Sequence, residues 1–265
     1  MVSMTLSPQE RAHNALSPET QRLAVQSVRM NGYVLFEAAL PSELVDALHG
    51  AFLRVFEAYI ARTDPNRGAN RYQMHLPFIP PFTDERVTAS QFVLPIVEEL
   101  IGSDCVCHYF ASDTPAPGSE YQRVHSDIHA LFPGTGVIPP PYSLVLNVPL
   151  VDVTDENGPL EFWPGGTHLM PDGVDMQALA PLMHSERVTM RAGSLLLRDM
   201  RAWHRGTPNR SSAPRPHLAF IYSRHWLKTH YPPIGIPRET YDALPERQRR
   251  LFRFENIGGP LVNVP

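Results

Sequence analysis

Between residues 106 and 222 the chain is cut by proline and glycine into six short apolar runs, at 106–110, 143–150, 160–163, 187–190, 194–197 and 217–222. Runs this short, rich in β-branched and aromatic residues and bounded by turn formers, predict strands rather than helices. So many strands in succession bury their apolar faces only by packing sheet on sheet or by closing a barrel. The preceding stretch has a different character. Ser17, Pro18 and Glu19 combine an N-cap, a proline at the first helical position and an acidic first turn, and Gly32 closes the segment. A short strand over 33–36 follows. Pro41, Ser42 and Glu43 then open a second helix, with Leu44, Leu48, Phe52, Val55, Phe56 and Tyr59 at helical spacing as its core face. Residues 63–70 and 77–81 read as loop. Residues 84–101 read as a helix closed by Gly102, and 238–254 as helical with Leu244, Leu251 and Phe252 as anchors. The predicted class is mainly β with flanking helices, in one domain: a helix-rich part over 1–102, a β core over about 103–225 and a tail over 226–265.

A hydrophobic fraction of 43% in 265 residues is enough to bury a real core. The 23 basic and 27 acidic residues are interleaved, with no basic tract able to track a phosphate backbone, so nucleic acid is not an expected partner. Cys105 and Cys107 are the only cysteines; their spacing suits neither a disulfide framework nor a zinc knuckle and predicts two buried thiols. No apolar run approaches the ~20 residues of a membrane helix, and residues 1–8 carry no export signal. The expectation is a cytoplasmic protein without a membrane partner, for which a homodimer is compatible.

The chemistry is concentrated in His125-Ser126-Asp127 and in Trp203-His204-Arg205-Gly206, followed by Arg215. In an extended segment His125 and Asp127 share one face, and His129 is the next residue on it, a rival ligand or substrate contact. Two imidazoles and one carboxylate can occupy one face of an octahedral iron and leave the other face open. A turn at Pro208-Asn209 predicts a hairpin that brings His204 and Arg215 onto neighbouring strands.

These pieces, with Asp155-Glu156-Asn157-Gly158-Pro159-Leu160, Pro164-Gly165-Gly166-Thr167-His168 and Gly193-Ser194-Leu195-Leu196-Leu197, stand in an order and spacing that resembles the phytanoyl-CoA dioxygenase family of non-haem iron(II), 2-oxoglutarate-dependent oxygenases. Gly32 to Leu35 and Leu40 to Leu44 are similar to the family's opening strand and helix, so the resemblance covers most of the chain. It implies a double-stranded β-helix core, a cupin-like jelly roll, with Fe(II), 2-oxoglutarate and O2 as cofactor and cosubstrates. It further implies metal ligation by His125, Asp127 and His204, a carboxylate anchor at Arg215, and cosubstrate hydrogen bonds from Gln122 and Thr167, with Asn147 a further candidate. A guanidinium offers a carboxylate the two-pronged donor geometry. Retention of Asp127 predicts no halogenation, because halogenating relatives carry a small residue there. Gly206 departs from members that carry serine.

The implied reaction is oxidation of a small-molecule C–H bond, by default hydroxylation, with release of succinate and CO2. Desaturation, cyclisation, epimerisation and endoperoxide formation share the same ligands, and a cupin-like metal-binding protein without turnover is the rival class. Substrate residues are expected in loops at the mouth of the β core: Tyr72, Gln73, Met74, His75 and Phe78, then 129–141 with His129, then Arg201, then 224–231 with Trp226. Their mixed aromatic and polar character suits a mid-sized intermediate of specialised metabolism.

Overall fold

The computed structural model describes residues 2–264. Ten of its strands form two sheets: β1 (Ser3–Met4), β2 (Tyr33–Phe36), β3 (Arg71–His75), β4 (Val106–Pro115), β5 (Ser143–Pro149), β6 (Leu160–Phe162), β7 (Glu186–Val188), β8 (Leu195–Asp199), β9 (His204–Gly206) and β10 (His217–Ser223). The large sheet has the order β1-β2-β8-β5-β10-β4-β3, antiparallel except for the β1–β2 pair; the small one runs β7-β6-β9. Among the described residues no helix is long and apolar enough to cross a membrane.

Alternation along the strands divides the large sheet into two faces. Leu144, Leu146, Val148, Leu195, Leu197, Leu218 and Phe220 pack on one side with helix residues such as Val25, Leu48, Phe52 and Val97. The intervening side chains face inward. Tyr33, Leu35 and Leu196 meet Phe162 and Val188 of the small sheet, while Val145, Ala219 and Ile221 pack with Met200 and Tyr109. The outcome is two sheets around an interior with helices on one side, the jelly-roll arrangement expected.

Helix α2 (Pro18–Asn31) starts where its cap predicts, with Ser17 accepting from Thr20 N and Gly32 ending it at φ 84°; it is preceded by helix α1 (Pro8–His13), capped by Ser7, which the sequence reading does not include. Helix α3 spans Ser42–Ile60. The predicted helix over 84–101 is two pieces, α4 (Glu85–Thr88) and α5 (Leu94–Ile101), because Ser90 caps a turn between them. The C-terminal helix is likewise split into Arg238–Ala243 and Glu246–Leu251, with Pro245 between them unable to continue a helix. Residues 71–75, expected as part of a loop, form the edge strand β3. Both cysteines are buried and free.

Glu10 ties α1 to α2: it completes a capping box with Ser7 and also accepts from Ser17 N at 2.9 Å. Burial opposes its ionisation, but hydrogen bonds from Thr20, Ser17 and Ser7 hold its carboxyl down at about 2 against the usual 4.5. A depressed carboxyl contributes stability above its unfolded value and loses it as pH falls towards the folded one. Urea melts should show Glu10→Gln destabilising the protein by about 1 kcal/mol at pH 7, with the gap to the parent closing between pH 4.5 and 2. A pH-independent gap contradicts this role.

Candidate metal centre

His125 lies in a segment that runs beside β9. Gln122 N donates to Gly206 O, and His125 and His204 exchange backbone hydrogen bonds, both at 3.0 Å. Asp127 is not in a strand, contrary to the extended segment expected; its backbone N donates to Met200 O at 2.8 Å, which turns the side chain inward. The result is convergence: one ligand atom from each of His125, Asp127 and His204 lies within 4.8 Å of the others. His125 Nε2 is 3.6 Å from Asp127 Oδ1, and His204 Nε2 is 3.4 Å from Asp127 Oδ2. Perpendicular ligands about 2.1 Å from one ion would lie about 3 Å apart, so small adjustments seat a divalent metal.

The imidazoles are set for that role. Nδ1 of His125 is 2.8 Å from Arg123 O and Nδ1 of His204 is 3.0 Å from Ala202 O. A carbonyl there fixes the proton on Nδ1 and leaves the Nε2 lone pair facing Asp127. Burial, with the Arg198 charge, pushes His204 down to about 4, so it is neutral at pH 7. In the more exposed His125, burial works in the same direction, but its hydrogen bond to Asp127 and that residue's charge outweigh it and raise the value. Burial also opposes ionisation of Asp127, yet His204 and Arg198 keep it well below the ordinary carboxylate range.

Arg198 was not singled out by the sequence. Its Nη1 approaches Asp127 Oδ2 at 2.7 Å, an ion pair without hydrogen-bond alignment, and its Nε donates to Asn147 Oδ1 at 3.1 Å. Arg198 belongs to a polar stripe across the inward face of the large sheet: Arg198 on β8, Asn147 on β5, His217 on β10 and Asp113 on β4. With Arg67, Gln73, Tyr109 and Tyr231 these residues and Asp127 line a chamber of about 70 Å³. A second, less polar chamber of about 460 Å³ meets it at Asp127, Met200 and Tyr231 and is lined by His108, Ile128, His129, Leu131, Ser143 and residues 227–230.

Arg215 does not line either chamber. The expected hairpin is absent, because β9 belongs to the small sheet while Arg215 precedes β10 in the large one. Its buried guanidinium donates to Gly158 O at 2.7 Å and to His217 Nδ1, so it stands behind His217, and Nε keeps no partner. That bond fixes the His217 proton on Nε2, and burial with the Arg215 charge pushes His217 down to about 3. Gly158 is required at this turn: at φ 87°, an added Cβ would fall 2.8 Å from Thr207 O. Gly206 is explained in the same way, since a Cβ there would lie 2.5 Å from Arg71 Nη1 and 2.7 Å from Gln122 Oε1. The buried Arg71 guanidinium fills the room that a serine would need.

The remaining candidates separate by face. Asn147 and Gln73 line the polar chamber, and His129 the larger one. Gln122 lies on an outer cleft beside His125, where Oε1 accepts from Gly206 N. Thr167 is committed to the backbone, donating to Trp163 O at 2.7 Å and accepting from Trp203 N at 3.1 Å. Arg201 is tied to Asp199 and to Pro139 O beside a surface cleft that also contains His129. Tyr72, Met74 and Phe78 do not reach the mouth: Met74 and Phe78 are fully buried in the helix-side core, and Tyr72 packs against it with its ring on Phe56. Alternation along β3 turns Tyr72 and Met74 away from the interior that Gln73 enters. His75 packs edge-on against Tyr109 outside both chambers, and Trp226 is 55% exposed and lines neither.

The family described as Phytanoyl-CoA dioxygenase (PhyH) matches residues 28–217. The chain is similar to AviO1 from Streptomyces viridochromogenes Tue57 (TM-score 0.62, 20% identity, covering 79% of this chain and 97% of that one). It is also similar to SnoN, a non-heme alpha ketoglutarate dependent epimerase from nogalamycin biosynthesis (TM-score 0.59, 23% identity, covering 78% and 83%). A further structure of SnoN, in complex with Fe3+, alpha ketoglutarate and nogalamycin RO, superposes with TM-score 0.60 at 20% identity, covering 78% of this chain and 84% of that one.

Proposed function

This chain belongs to the phytanoyl-CoA dioxygenase family, and from that premise we propose that it is an iron(II)- and 2-oxoglutarate-dependent oxygenase acting on a small molecule. The observation that carries the reading is the convergence of His125, Asp127 and His204 where two chambers of different polarity meet. When bound, iron with 2-oxoglutarate and dioxygen supplies the oxidising chemistry, with release of succinate and CO2.

The chain's own residues hold and orient. His125 and His204 present Nε2, and Asp127 presents its carboxylate. The polar chamber suits 2-oxoglutarate by charge: the guanidiniums of Arg67 and Arg198 cancel the carboxylates of Asp113 and Asp127, so a divalent ion leaves an excess that matches a dicarboxylate dianion. Asp113 Oδ1 and Arg198 Nη1, buried polar atoms without a hydrogen-bond partner, belong to residues of this chamber's wall, where a bound ligand would supply one. Arg198, Asn147 and His217 would hold the cosubstrate directly, and Arg215 would act through His217. The larger chamber would take the substrate, with Ile128, Leu131 and Leu227 excluding water from the carbon to be oxidised.

Hydroxylation is the default outcome, and a specialised-metabolite intermediate is the substrate class, supported by a structural relative named for nogalamycin biosynthesis. The epimerase named among those relatives favours stereochemical inversion as a second reading. Assays of succinate release against a panel of such intermediates, with product masses, test both. Gain of one oxygen marks hydroxylation, loss of two hydrogens desaturation, and unchanged mass inversion. Absence of substrate-dependent succinate across the panel, with the iron site filled, counts against the oxygenase reading.

A further inference from the structure

Of the 23 basic side chains in this protein, one alone is a lysine, Lys228, and it lines the larger chamber. The segment that carries it leaves β10 and is pinned by backbone bonds from Arg224 N to Tyr142 O at 3.0 Å and from Leu227 N to Arg224 O at 2.9 Å. Lys228 is exposed and makes no hydrogen bond or ion pair with any described residue. Besides Asp127 and Tyr231, the wall's other polar groups are Ser143, Thr229 and the imidazoles of His108, His129 and His230. His108 is 2.6 Å from Ser223 Oγ, His230 packs at a tilt against Tyr231 with ring centroids 4.8 Å apart, and the hydroxyl of Ser143 bonds to Ser223 Oγ at 2.7 Å. Asp127 is the only carboxylate of this lining, and it faces Arg198, His125 and His204. The chamber therefore presents an apolar wall of Ile128, Leu131 and Leu227 with Lys228, the one lysine or arginine of its lining, unpaired at the rim.

We propose that Lys228 selects a substrate bearing one carboxylate on an apolar body, the body lying against Ile128, Leu131 and Leu227 and the carboxylate meeting the ammonium at the mouth. This rests on reading the larger chamber as the substrate's. The charge count selects a monoanion, because one cation without a neighbouring guanidinium balances a carboxylate and leaves a phosphate dianion half compensated. A flexible stem ending in a compact charge also meets carboxylates at different reaches, whereas a planar guanidinium fixes one geometry.

Because no other side chain carries an amine, reductive methylation reports on Lys228 alone, with the α-amine as internal reference. Labelling rates of the iron-loaded protein should be followed by peptide mass spectrometry with a series of linear carboxylates from butanoate to dodecanoate and with the matching amides. The expected result is that carboxylates of intermediate length slow labelling of Lys228 and leave the α-amine unaffected, while the amides protect about fivefold less well, the scale of one solvent-accessible ion pair. Fluorescence competition should then show Lys228→Met losing the preference for carboxylate over amide and Lys228→Arg keeping it. Equal protection by acid and amide, no protection by any member of the series, or an unchanged preference in Lys228→Met overturns the proposal. Binding of iron(II) and 2-oxoglutarate to Lys228→Met, followed by visible absorbance, keeps the two readings apart. Loss of carboxylate preference with that absorbance intact places the effect in the substrate chamber, whereas lack of the absorbance in the parent protein strikes the oxygenase reading and leaves the Lys228 result standing.

Discussion

Asp127→Ala abolishes iron-dependent turnover and weakens iron(II) binding by at least about a hundredfold, since even residues that only orient metal ligands are worth 10–100-fold in affinity. The structure adds a consequence for stability. Arg198 is nearly buried and its nearest anion is Asp127 at 2.7 Å, so removing the carboxylate leaves a guanidinium without its counter-ion. Breaking a buried pair from one side costs about 3–5 kcal/mol, and the alanine variant is therefore expected to melt lower as well as to lose iron. Asp127→Asn keeps the shape of the side chain and an oxygen beside Arg198 but removes the negative charge, so it should bind iron as poorly as the alanine variant and recover only part of the lost stability. Parent-like iron affinity in either variant, measured by anaerobic calorimetry, would remove Asp127 from the metal site.

Arg198→Met is the second large effect, and it concerns the cosubstrate. With Arg198 drawn onto Asp127 the polar chamber measures only about 70 Å³. A divalent ion at His125, Asp127 and His204 competes for the same carboxylate and repels the guanidinium, which frees Arg198 to meet a carboxylate of 2-oxoglutarate. Charge-assisted hydrogen bonds of this kind contribute about 1.5–3 kcal/mol, so Arg198→Met should weaken 2-oxoglutarate binding to the iron-loaded protein by about 10–100-fold. The same logic predicts that the metal-free parent binds 2-oxoglutarate poorly. Arg215→Met should weaken cosubstrate binding less and stability more, because Arg215 reaches the chamber only through His217 and its loss leaves Gly158 O and His217 Nδ1 unpaired. A larger loss of affinity in Arg215→Met than in Arg198→Met would reverse the roles assigned to the two arginines.

The metal ligands were legible in the sequence because a metal tolerates few side-chain types, and those types recur in short motifs that survive without knowledge of strand pairing. The inward stripe was not. Every residue of β5, β8 and β10 is buried, so polarity does not alternate along them, and which of Leu197 or Arg198 faces the interior depends on pairing that no single strand encodes. The turn motif of Asn157 and Gly158 was visible, but its purpose, offering the Gly158 carbonyl to Arg215, needed the sheets assembled. Residues 72–78 were read as a mouth loop because prolines dominate the stretch that follows. In fact Arg71 to His75 add an edge strand, and its alternation sends Tyr72 and Met74 into the helix-side core while Gln73 enters the chamber. The helix breaks at Ser90 and Pro245 were misread for a smaller reason: apolar spacing continues across both, whereas backbone hydrogen bonding does not.

Everything above turns on two imidazoles and one carboxylate holding ferrous iron beside a pocket for a 2-oxo dicarboxylate. The direct measurement is an anaerobic titration of 2-oxoglutarate into the iron(II)-loaded protein, followed by visible absorbance. A saturable charge-transfer band at one equivalent of iron is expected, lost in Asp127→Ala and shifted to higher 2-oxoglutarate concentration in Arg198→Met. A protein that takes up iron stoichiometrically yet gives no band, or gives the same band in Asp127→Ala, contradicts it.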